Sequence, residues 1–158
     1  MDIRVGNGYD THPLVKGEPL ILGGIHIPHD KGTKGHSDGD VLIHAIIDSI
    51  LGASSMGNIG DFFPSNNQDL KGISSLKLLA QVIDKINQLS YEIINSDSTI
   101  LLERPIVKEY IKPMRKSIAN CLKIDIDRVS IKATTNDTLG FIGRQEGVSV
   151  ISNVLIKR

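Results

Sequence analysis

Hydrophobic and polar residues alternate at several places along the chain, which is the pattern of strands with one buried face. Ile3 and Val5 predict a first strand that ends near residues 6–8, where two glycines stand. Residues 20–22 and 25–27 predict a hairpin, because the Gly-Gly pair between them tolerates the positive φ angles of a tight turn. Further strands are predicted at residues 91–102, 129–133 and 148–156.

Three other segments are predicted as helices, and the second of them repeats its hydrophobic residues every three or four positions. These helices run over residues 40–54, from 74 or 75 to 88, and over 107–122. Pro113 either kinks the third helix or begins its main part. The polar, glycine-rich stretches between the elements are predicted as loops, at residues 29–39, 57–65 and 134–147.

The order of strands and helices predicts an α/β fold. We expect a two-layer sandwich, with the helices packed on one face of a mixed β-sheet. The chain has 158 residues and a mass of 17.2 kDa, and no repeat, linker or charge block divides it. The length is that of one domain, so a single domain is expected over residues 1–158.

The composition is that of a globular protein, with 40% hydrophobic and 23% charged residues. The net charge is zero, so the basic excess typical of nucleic-acid-binding proteins is missing. The single cysteine, Cys121, excludes an internal disulfide framework and is interpreted as a core thiol. The N-terminus lacks the apolar run of a signal peptide, and the longest apolar stretch, residues 41–51, is too short to span a bilayer. We therefore expect a cytoplasmic protein with no membrane partner.

The helix predicted from residue 40 is apolar on nearly every side. Its exceptions, Asp40, His44 and Asp48, recur at every fourth position and so form one narrow stripe. On spacing alone, the favoured interpretation is the solvent-facing edge of an amphipathic helix. The alternative is a stripe that is buried or faces a cleft, where charged groups persist only if they are paired or bound to a metal.

Asp10 and His12 lie two residues apart, so their side chains share a face of an extended chain and can approach one ion. Together with His44 they would form a ligand set of two imidazoles and one carboxylate. This set suits zinc and leaves a fourth coordination position open. The alternative is a chance Asp-x-His sequence in a loop. His26 and His29 are expected to have exposed or structural roles.

Residues 36–40, with the sequence His-Ser-Asp-Gly-Asp, precede the same helix. Backbone amides at a helix N-terminus carry partial positive charge and bind phosphate. Simple capping of the helix by Ser37 or Asp38 is an alternative that is compatible with phosphate binding.

The segment over residues 132–147 is dense in hydroxyl groups, glycines and charges. Its threonines and exposed amides can donate hydrogen bonds to phosphate, Asp137 offers an oxygen ligand for magnesium, and Arg144 can clamp an anion. The Walker A pattern is absent. A polar turn between two strands is the simpler interpretation, although the segment is long for a turn.

Several of these residues belong to motifs that extend nearly from end to end of the chain: Asp-Thr-His at 10–12, His-Ser-Asp-Gly-Asp at 36–40, His44, Lys-Ala-Thr-Thr at 132–135, Leu-Gly-Phe at 139–141 and Gly-Arg-Gln-Glu-Gly at 143–147. Together they closely resemble the 2-C-methyl-D-erythritol 2,4-cyclodiphosphate synthase family of the non-mevalonate isoprenoid pathway. The two longer motifs are jointly highly specific.

The resemblance implies a phosphorus–oxygen lyase that acts as a cyclase. Its substrate would be 4-diphosphocytidyl-2-C-methyl-D-erythritol 2-phosphate, a cytidine diphosphate derivative. The 2-phosphate would attack the metal-bound β-phosphate of the same molecule, which releases CMP and closes the 2,4-cyclodiphosphate ring. The resemblance also implies a homotrimer of α/β subunits with active sites between neighbouring subunits.

The same resemblance implies two metal sites. By motif match, Asp10, His12 and His44 would hold Zn²⁺, and Asp137 falls where the family has an acidic ligand for a second ion, Mg²⁺ or Mn²⁺, at the substrate diphosphate. Two divalent ions would thus neutralise and position the substrate phosphates.

The matched positions also imply the substrate contacts. His36 and Thr135 would position and stabilise the reacting phosphates, which makes them the implied catalytic residues. The full set implied for substrate binding is Asp10, His12, His36, Ser37, Asn58, Ile59, Gly60, Phe63, Pro64, Ser65, Asn66, Asn67, Leu102, Glu103, Arg104, Pro105, Ile106, Val107, Lys108, Ala133, Thr134, Thr135, Asn136, Asp137, Phe141 and Arg144.

The chain departs from the family pattern at five positions. Asn58 stands where the family usually has an aspartate that contacts the ribose hydroxyls, so nucleotide affinity is expected to differ. Ser65 and Asn67 replace carboxylates that often contact the methylerythritol hydroxyls. Asn7 stands where histidine is common, and Ile106 replaces a frequent lysine near the cytosine pocket.

Phe141 and Arg144 match positions that, in the family, line or close a cavity on the threefold axis. Two other functions compete with the cyclase: a zinc-dependent phosphohydrolase and a non-catalytic, zinc-stabilised trimeric binding module. A structural zinc site would be expected to fill four ligand positions, whereas only three candidate ligands are found.

Overall fold

A computed structural model describes the whole chain, Met1–Arg158. It contains seven strands, five α-helices and three short 3₁₀ turns. The strands are β1 (Ile3–Lys16), β2 (Leu20–Leu22), β3 (Ile25–Ile27), β4 (Lys31–Thr33), β5 (Glu92–Leu101), β6 (Val129–Thr134) and β7 (Gly147–Lys157). The α-helices are α1 (Val41–Ala53), α2 (Ile59–Phe62), α3 (Ser75–Gln88), α4 (Ile111–Leu122) and α5 (Gly140–Gly143), and the 3₁₀ turns are Gln68–Leu70, Lys108–Tyr110 and Ile126–Arg128.

Five strands form the main sheet, in the order β4-β1-β7-β5-β6. The β5–β6 pair is parallel and the other neighbours are antiparallel, so the sheet is mixed, as predicted. The last strand, β7, lies in the middle of the sheet between β1 and β5. Asp2 and Arg158 exchange two backbone hydrogen bonds of 2.9 and 3.0 Å, so the two chain ends lie side by side.

The longer helices cover one face of this sheet, which confirms the predicted layering. Helix α1 packs on β1 and β7, α3 packs on α1, and α4 packs on α3 and β6. These elements enclose one hydrophobic core of 33 buried residues. None of the helices is both long and apolar enough to cross a bilayer.

The opposite face of the sheet carries no helix and exposes apolar side chains. Val5 is 72% exposed and Tyr9 is 55% exposed on β1, and Ile151 is 40% exposed on β7. Burial of such side chains is favourable, and a group of them on a sheet face is typical of a surface that contacts another protein.

The structure corrects several predicted boundaries. Strand β1 does not end at residues 6–8 but continues to Lys16, because β7 pairs with it from Ile3 to Pro13. Each of the three predicted loops contains short regular structure: β4 lies in the first, α2 in the second and α5 in the third. Pro113 lies in the first turn of α4, so it begins the main part of that helix and does not kink it.

Candidate active site and metal centre

Two glycines of β1 bring helix α1 unusually close to the strand. Gly6 and Gly8 are on the same face of β1 as Asp10 and His12, since side chains alternate along a strand. A Cβ atom added at Gly8 would lie 2.0 Å from the carbonyl oxygen of Ala45, and one added at Gly6 would lie 1.8 Å from that of Ser49. This close approach carries His44, the neighbour of Ala45, to the two side chains on β1.

The candidate ligand atoms of Asp10, His12 and His44 form a small triangle, which we call the metal triangle. Asp10 Oδ2 lies 2.9 Å from His12 Nε2 and 3.1 Å from His44 Nδ1, and the two nitrogens are 3.2 Å apart. Around a tetrahedral ion with bonds of about 2.0–2.1 Å, ligand atoms lie roughly 3.3 Å from one another. The three atoms therefore match one face of such a tetrahedron, and no other group of His, Cys, Asp or Glu in the chain forms such a cluster.

The outer nitrogens of the two imidazoles have hydrogen-bond partners of their own. His12 Nδ1 lies 2.9 Å from the carbonyl oxygen of Lys34, to which it donates. His44 Nε2 lies 2.9 Å from Ser75 Oγ and 3.0 Å from Ser37 Oγ. When one nitrogen of a neutral imidazole ring donates outward, the other nitrogen carries an available lone pair. Two lone pairs and a carboxylate oxygen then converge on one point, which is an arrangement that a cation fits.

The electrostatics of the triangle keep the Asp10 carboxyl group ionised. Burial raises the pKa of Asp10, but hydrogen bonds and charge from His12 and His44 outweigh it and lower the pKa to about 2. Burial lowers the pKa of His12, but its contacts with Asp10 outweigh that effect and raise the pKa above its usual value. The carboxylate is therefore ionised and ready to bind a cation at neutral pH.

The stripe on helix α1 is not a solvent-facing edge, so the interpretation favoured on spacing alone is wrong. Asp40 is fully buried and caps the helix by accepting the Ile43 amide at 3.1 Å, a task expected of Ser37 or Asp38. Asp48 is partly buried and accepts the Ile59 amide at 2.7 Å. Each of the three polar side chains thus has hydrogen-bond partners within the protein, as the alternative interpretation requires.

A cavity of about 550 Å³ opens beside the metal triangle. Its volume lies within the range of small-molecule sites in proteins. His36 faces this cavity and its Nε2 lies 2.9 Å from the carbonyl oxygen of Asn67. The cavity lining contains ten of the residues implied for substrate binding, together with the implied metal ligand His44 and with Leu70 and Leu78. The ten are Asp10, His12, His36, Ser37, Ile59, Gly60, Phe63, Pro64, Ser65 and Asn66.

Asn58 does not line that cavity but begins helix α2. Its side chain accepts the Gly60 amide at 2.9 Å, and the Asp61 carboxylate accepts the Asn58 amide at 3.0 Å. This reciprocal pair is a capping box, which fixes the start of the helix. The implied ribose contact at Asn58 is therefore presented by a defined helix start.

A second cavity, of about 250 Å³, lies at the end of β5 and β6. Glu103 anchors the loop beyond β6 by accepting the Asn136 amide at 3.0 Å. The lining comprises Leu102, Glu103, Pro105, Ile106, Val107, Lys108, Ile111, Ala133, Thr134 and Thr135. The two cavities share no residue, so a single chain does not bring the metal triangle close to Thr134 and Thr135.

The remaining candidates lie outside both cavities. Asp137 is exposed and adopts a left-handed backbone with φ of 49°, and it is not part of the metal triangle. Arg144 pairs with Glu146 at 3.0 Å, and Phe141 is 40% exposed. Arg104 is exposed next to the second cavity. These positions stay predictions about substrate and metal binding.

Cys121, His26 and His29 line neither of the two cavities. Cys121 is half-buried and its Sγ lies 3.5 Å from the Leu76 carbonyl oxygen, and burial raises the pKa of its thiol. A thiol of this kind is a poor nucleophile. His26 is exposed, and His29 lies 3.4 Å from the Asp30 carboxylate.

The sequence analysis missed three residues that support the site: Lys34, whose carbonyl contacts His12, and Ser75 and Asp38, which lie behind His44. Asp38 was considered only as a possible cap, and Ser75 only as a helix start. Leu70 and Leu78 were also missed as cavity wall. Only one of these contacts has a sequence signal, because Asp38 lies in the motif at residues 36–40.

Comparison with known proteins finds one matching family and several similar chains. The model of the YgbB family matches residues 3–157. A protein of Clostridium botulinum (strain Okra / Type B1) is 52% identical over 147 residues, which are 93% of this chain and 95% of the relative. A protein of Lachnospira eligens is 54% identical over 147 residues, 93% of this chain and 80% of the relative. Both relatives are named 2-C-methyl-D-erythritol 2,4-cyclodiphosphate synthase.

Solved structures share the fold. The bifunctional IspDF of Campylobacter jejuni superposes with a TM-score of 0.95 at 42% identity, over 99% of this chain and 42% of that longer chain. IspF of Plasmodium falciparum, solved as a CDP complex, has a TM-score of 0.85 at 34% identity and covers 98% of this chain and 95% of its own. The α/β architecture with a mixed sheet is thus common to these proteins.

Proposed function

This chain belongs to the YgbB family, whose curated members named above are 2-C-methyl-D-erythritol 2,4-cyclodiphosphate synthases, and from that membership we propose that it converts 4-diphosphocytidyl-2-C-methyl-D-erythritol 2-phosphate to the 2,4-cyclodiphosphate and CMP. An oxygen of the 2-phosphate forms a bond to the β-phosphorus as the bond from that phosphorus to the bridging oxygen breaks. CMP departs with the bridging oxygen and its electron pair. The observation that carries the proposal is the Asp10-His12-His44 triangle at the edge of a cavity.

Asp10, His12 and His44 are the residues that would hold zinc. Zinc bound there would act as a Lewis acid that stabilises negative charge on the diphosphate oxygens. The three side chains provide one negative charge in total, so the centre keeps a net positive charge toward an anionic substrate. Only three protein ligands converge, which suits a catalytic site rather than a closed structural one.

The walls of the first cavity would fold the substrate on itself. Its nucleophile is already a phosphate anion, so the reaction needs no strong general base. What limits the rate is repulsion between the phosphates and the orientation of one end of the molecule toward the other. His36 and the hydroxyl of Ser37 would bind phosphate oxygens, and Phe63 and Pro64 would exclude water that otherwise hydrolyses the diphosphate.

The nucleotide half would occupy the second cavity, where the loop over residues 102–108 would contact the base. Thr134 and Thr135 line the same cavity and would donate hydroxyl and amide hydrogen bonds to the phosphates near the cytidine. Asp137, two residues beyond, would help to bind Mg²⁺ or Mn²⁺ with the diphosphate. CDP bound to the Plasmodium falciparum relative supports a cytidine nucleotide as the ligand of this chain.

Separation of the two cavities supports an assembly in which neighbouring subunits complete each site. We infer a homotrimer built through the uncovered face of the sheet, where Val5, Tyr9 and Ile151 are exposed. Each subunit is taken as one cyclodiphosphate synthase domain over residues 1–158. Light scattering would then give three times the 17.2 kDa chain mass, and a monomer would contradict the shared site.

Purified protein, the cytidyl substrate and magnesium provide the direct test, with ³¹P NMR to identify the product. The cyclic diphosphate and CMP are expected. Linear products that contain oxygen from solvent would instead indicate a zinc-dependent phosphohydrolase. Unfolding of the assembly on removal of zinc, with no turnover before removal, would indicate a binding module.

His44→Ala tests the metal centre. This variant is expected to lose zinc retention and CMP release while it keeps its oligomeric state, because the imidazole lies at the cavity and not on the uncovered sheet face. Normal turnover by metal-free His44→Ala protein would reject the assignment.

A further inference from the structure

Two hydroxyl groups lie behind the His44 imidazole, on the side away from Asp10 and His12. Ser75 Oγ is 2.9 Å and Ser37 Oγ is 3.0 Å from His44 Nε2. Ser75 is fully buried, with 0% of its surface exposed. A buried hydroxyl must find its partners within the protein, so the direction of its hydrogen bonds can be worked out.

A carboxylate determines that direction. Asp38 Oδ1 lies 2.5 Å from Ser75 Oγ, and Asp38 Oδ2 accepts the Ser75 amide at 3.0 Å. An ionised carboxylate only accepts hydrogen bonds, so the Ser75 hydroxyl donates to Asp38 and turns its lone pairs toward His44. His44 Nε2 therefore carries the hydrogen and donates it to Ser75.

We propose that Ser75, held by Asp38, is a positioning residue that sets the tautomer and the orientation of the His44 imidazole in the metal centre. With the hydrogen on Nε2, the Nδ1 atom carries a lone pair that is directed toward the candidate ligand atoms of Asp10 and His12. This inference rests on the metal site proposed above and adds to it a carboxylate–hydroxyl–imidazole chain. Outer partners of this kind orient a metal ligand and raise its basicity.

The start of helix α3 is built around this contact. Ser74, at the N-cap position, forms no side-chain cap, and Asp38 from a distant segment accepts the first helical amide in its place. The Asp38 amide in turn donates to the Ile73 carbonyl oxygen at 3.0 Å. The position of Ser75 is thus tied to residues 36–40, which run along the same cavity.

Ser37 is the less suitable partner for His44. Ser37 lines the cavity and its hydroxyl lies 3.3 Å from Ser75, whereas no carboxylate accepts its hydrogen. Its hydroxyl is free to turn toward a ligand. Ser75 does not line the cavity and is held at both its amide and its hydroxyl. The two serines therefore have different tasks, one toward substrate and one toward the metal ligand.

Zinc retention measured by competition with a chromophoric chelator tests the proposal without any turnover. Ser75→Ala is expected to weaken zinc affinity by about 10–100-fold, the usual cost of losing an outer partner of a metal ligand. Ser74→Ala makes the same chemical change one residue earlier, at a side chain with no cap hydrogen bond, and is expected to bind zinc as the parent does. Cobalt-substituted Ser75→Ala protein should show an altered visible spectrum, because the His44 ring is no longer held.

Asp38→Asn is the second variant and also serves if Ser75→Ala does not fold. It keeps the size of the side chain but replaces an acceptor oxygen by a donor group, so zinc affinity should fall in the same direction. Parent-like affinity and spectrum in both variants would overturn the positioning role, as would a loss that follows Ser37→Ala in place of Ser75→Ala. Parent protein that retains no zinc would instead reject the metal site itself, and with it this inference.

Discussion

Gly8→Ala tests whether the close contact between β1 and α1 builds the metal centre. The added Cβ would lie 2.0 Å from the Ala45 carbonyl oxygen and 2.7 Å from the Ser49 amide nitrogen. Ordinary contact begins at 3.4 Å, so the helix and the strand must separate by about 1.4 Å. Both clashing atoms belong to the helix backbone, which cannot turn aside as a flexible side chain can.

The separation moves His44 away from Asp10 and His12. Functional metal–ligand distances hold within about 0.2 Å, and the required shift is several times larger. We expect zinc affinity to fall at least about 100-fold, beyond the cost of losing an outer partner, because a ligand itself is displaced. Overpacking should also cost about 1–3 kcal/mol of unfolding free energy. Each kcal/mol lowers the melting temperature of a domain of this size by about 2–4 °C.

Gly52→Ala is the matched control. It adds the same methyl group to helix α1, but the nearest atom, the Asn7 carbonyl oxygen, is 3.8 Å away. An alanine in a helix is expected to stabilise it by about 0.5–1 kcal/mol relative to glycine. Chelator competition and thermal unfolding of both variants are the measurements. Parent-like zinc affinity in a folded Gly8→Ala protein would refute the reasoning from close packing.

Three further predictions concern the substrate contact, a buried carboxyl and the uncovered sheet face. Asn58→Asp should keep the start of α2, since both residues are good N-caps, and should lower the Michaelis constant with little change in turnover; an unchanged constant counts against a ribose contact. Burial raises the pKa of Asp40 from 3.8 to about 6, against amide hydrogen bonds that lower it. The native state therefore binds the proton more tightly, and the associated stability is present below about pH 4 and is lost as the pH rises through 6. Urea unfolding should show the advantage of the parent over Asp40→Asn shrinking across that interval, and an advantage that grows would contradict the sign. Val5→Asp should dissociate the proposed trimer in light scattering, because the charge would be buried in the interface, whereas Lys16→Asp at the far end of β1 should leave it assembled.

Much of the fold follows from local patterns. Apolar runs, caps and spacing located α1, α3 and α4 to within a few residues, and β-branched or alternating residues located β5, β6 and β7. The length of β1 could not be predicted in this way, because its second half is held by β7, more than 130 residues away. Likewise β4 exists as a strand only because Leu14, Val15 and Lys16 pair with it.

The candidate site also contains residues that the sequence predicted and residues that it did not. Residue chemistry and spacing selected Asp10, His12 and His44, and the structure confirms that they meet. The role of the stripe on α1 was misjudged, since its partners include residues of distant segments that no spacing rule reveals. Asp40 and Asp48 accept backbone amides, and His44 contacts side chains of β1 and α3. Ser75 escaped notice for a similar reason: it lies 31 residues from His44, and an isolated serine at a helix start is ordinarily no more than a cap.

The central position of β7 has a consequence for synthesis of the protein. Asp10 and His12 pair with Val150 and Val148 of β7, so β1 has no neighbour on that side until β7 has been synthesised. Strand β5 also pairs with β7 and lacks this neighbour until then. The nascent chain therefore completes its sheet, and with it the proposed metal site, only after β7 has left the ribosome.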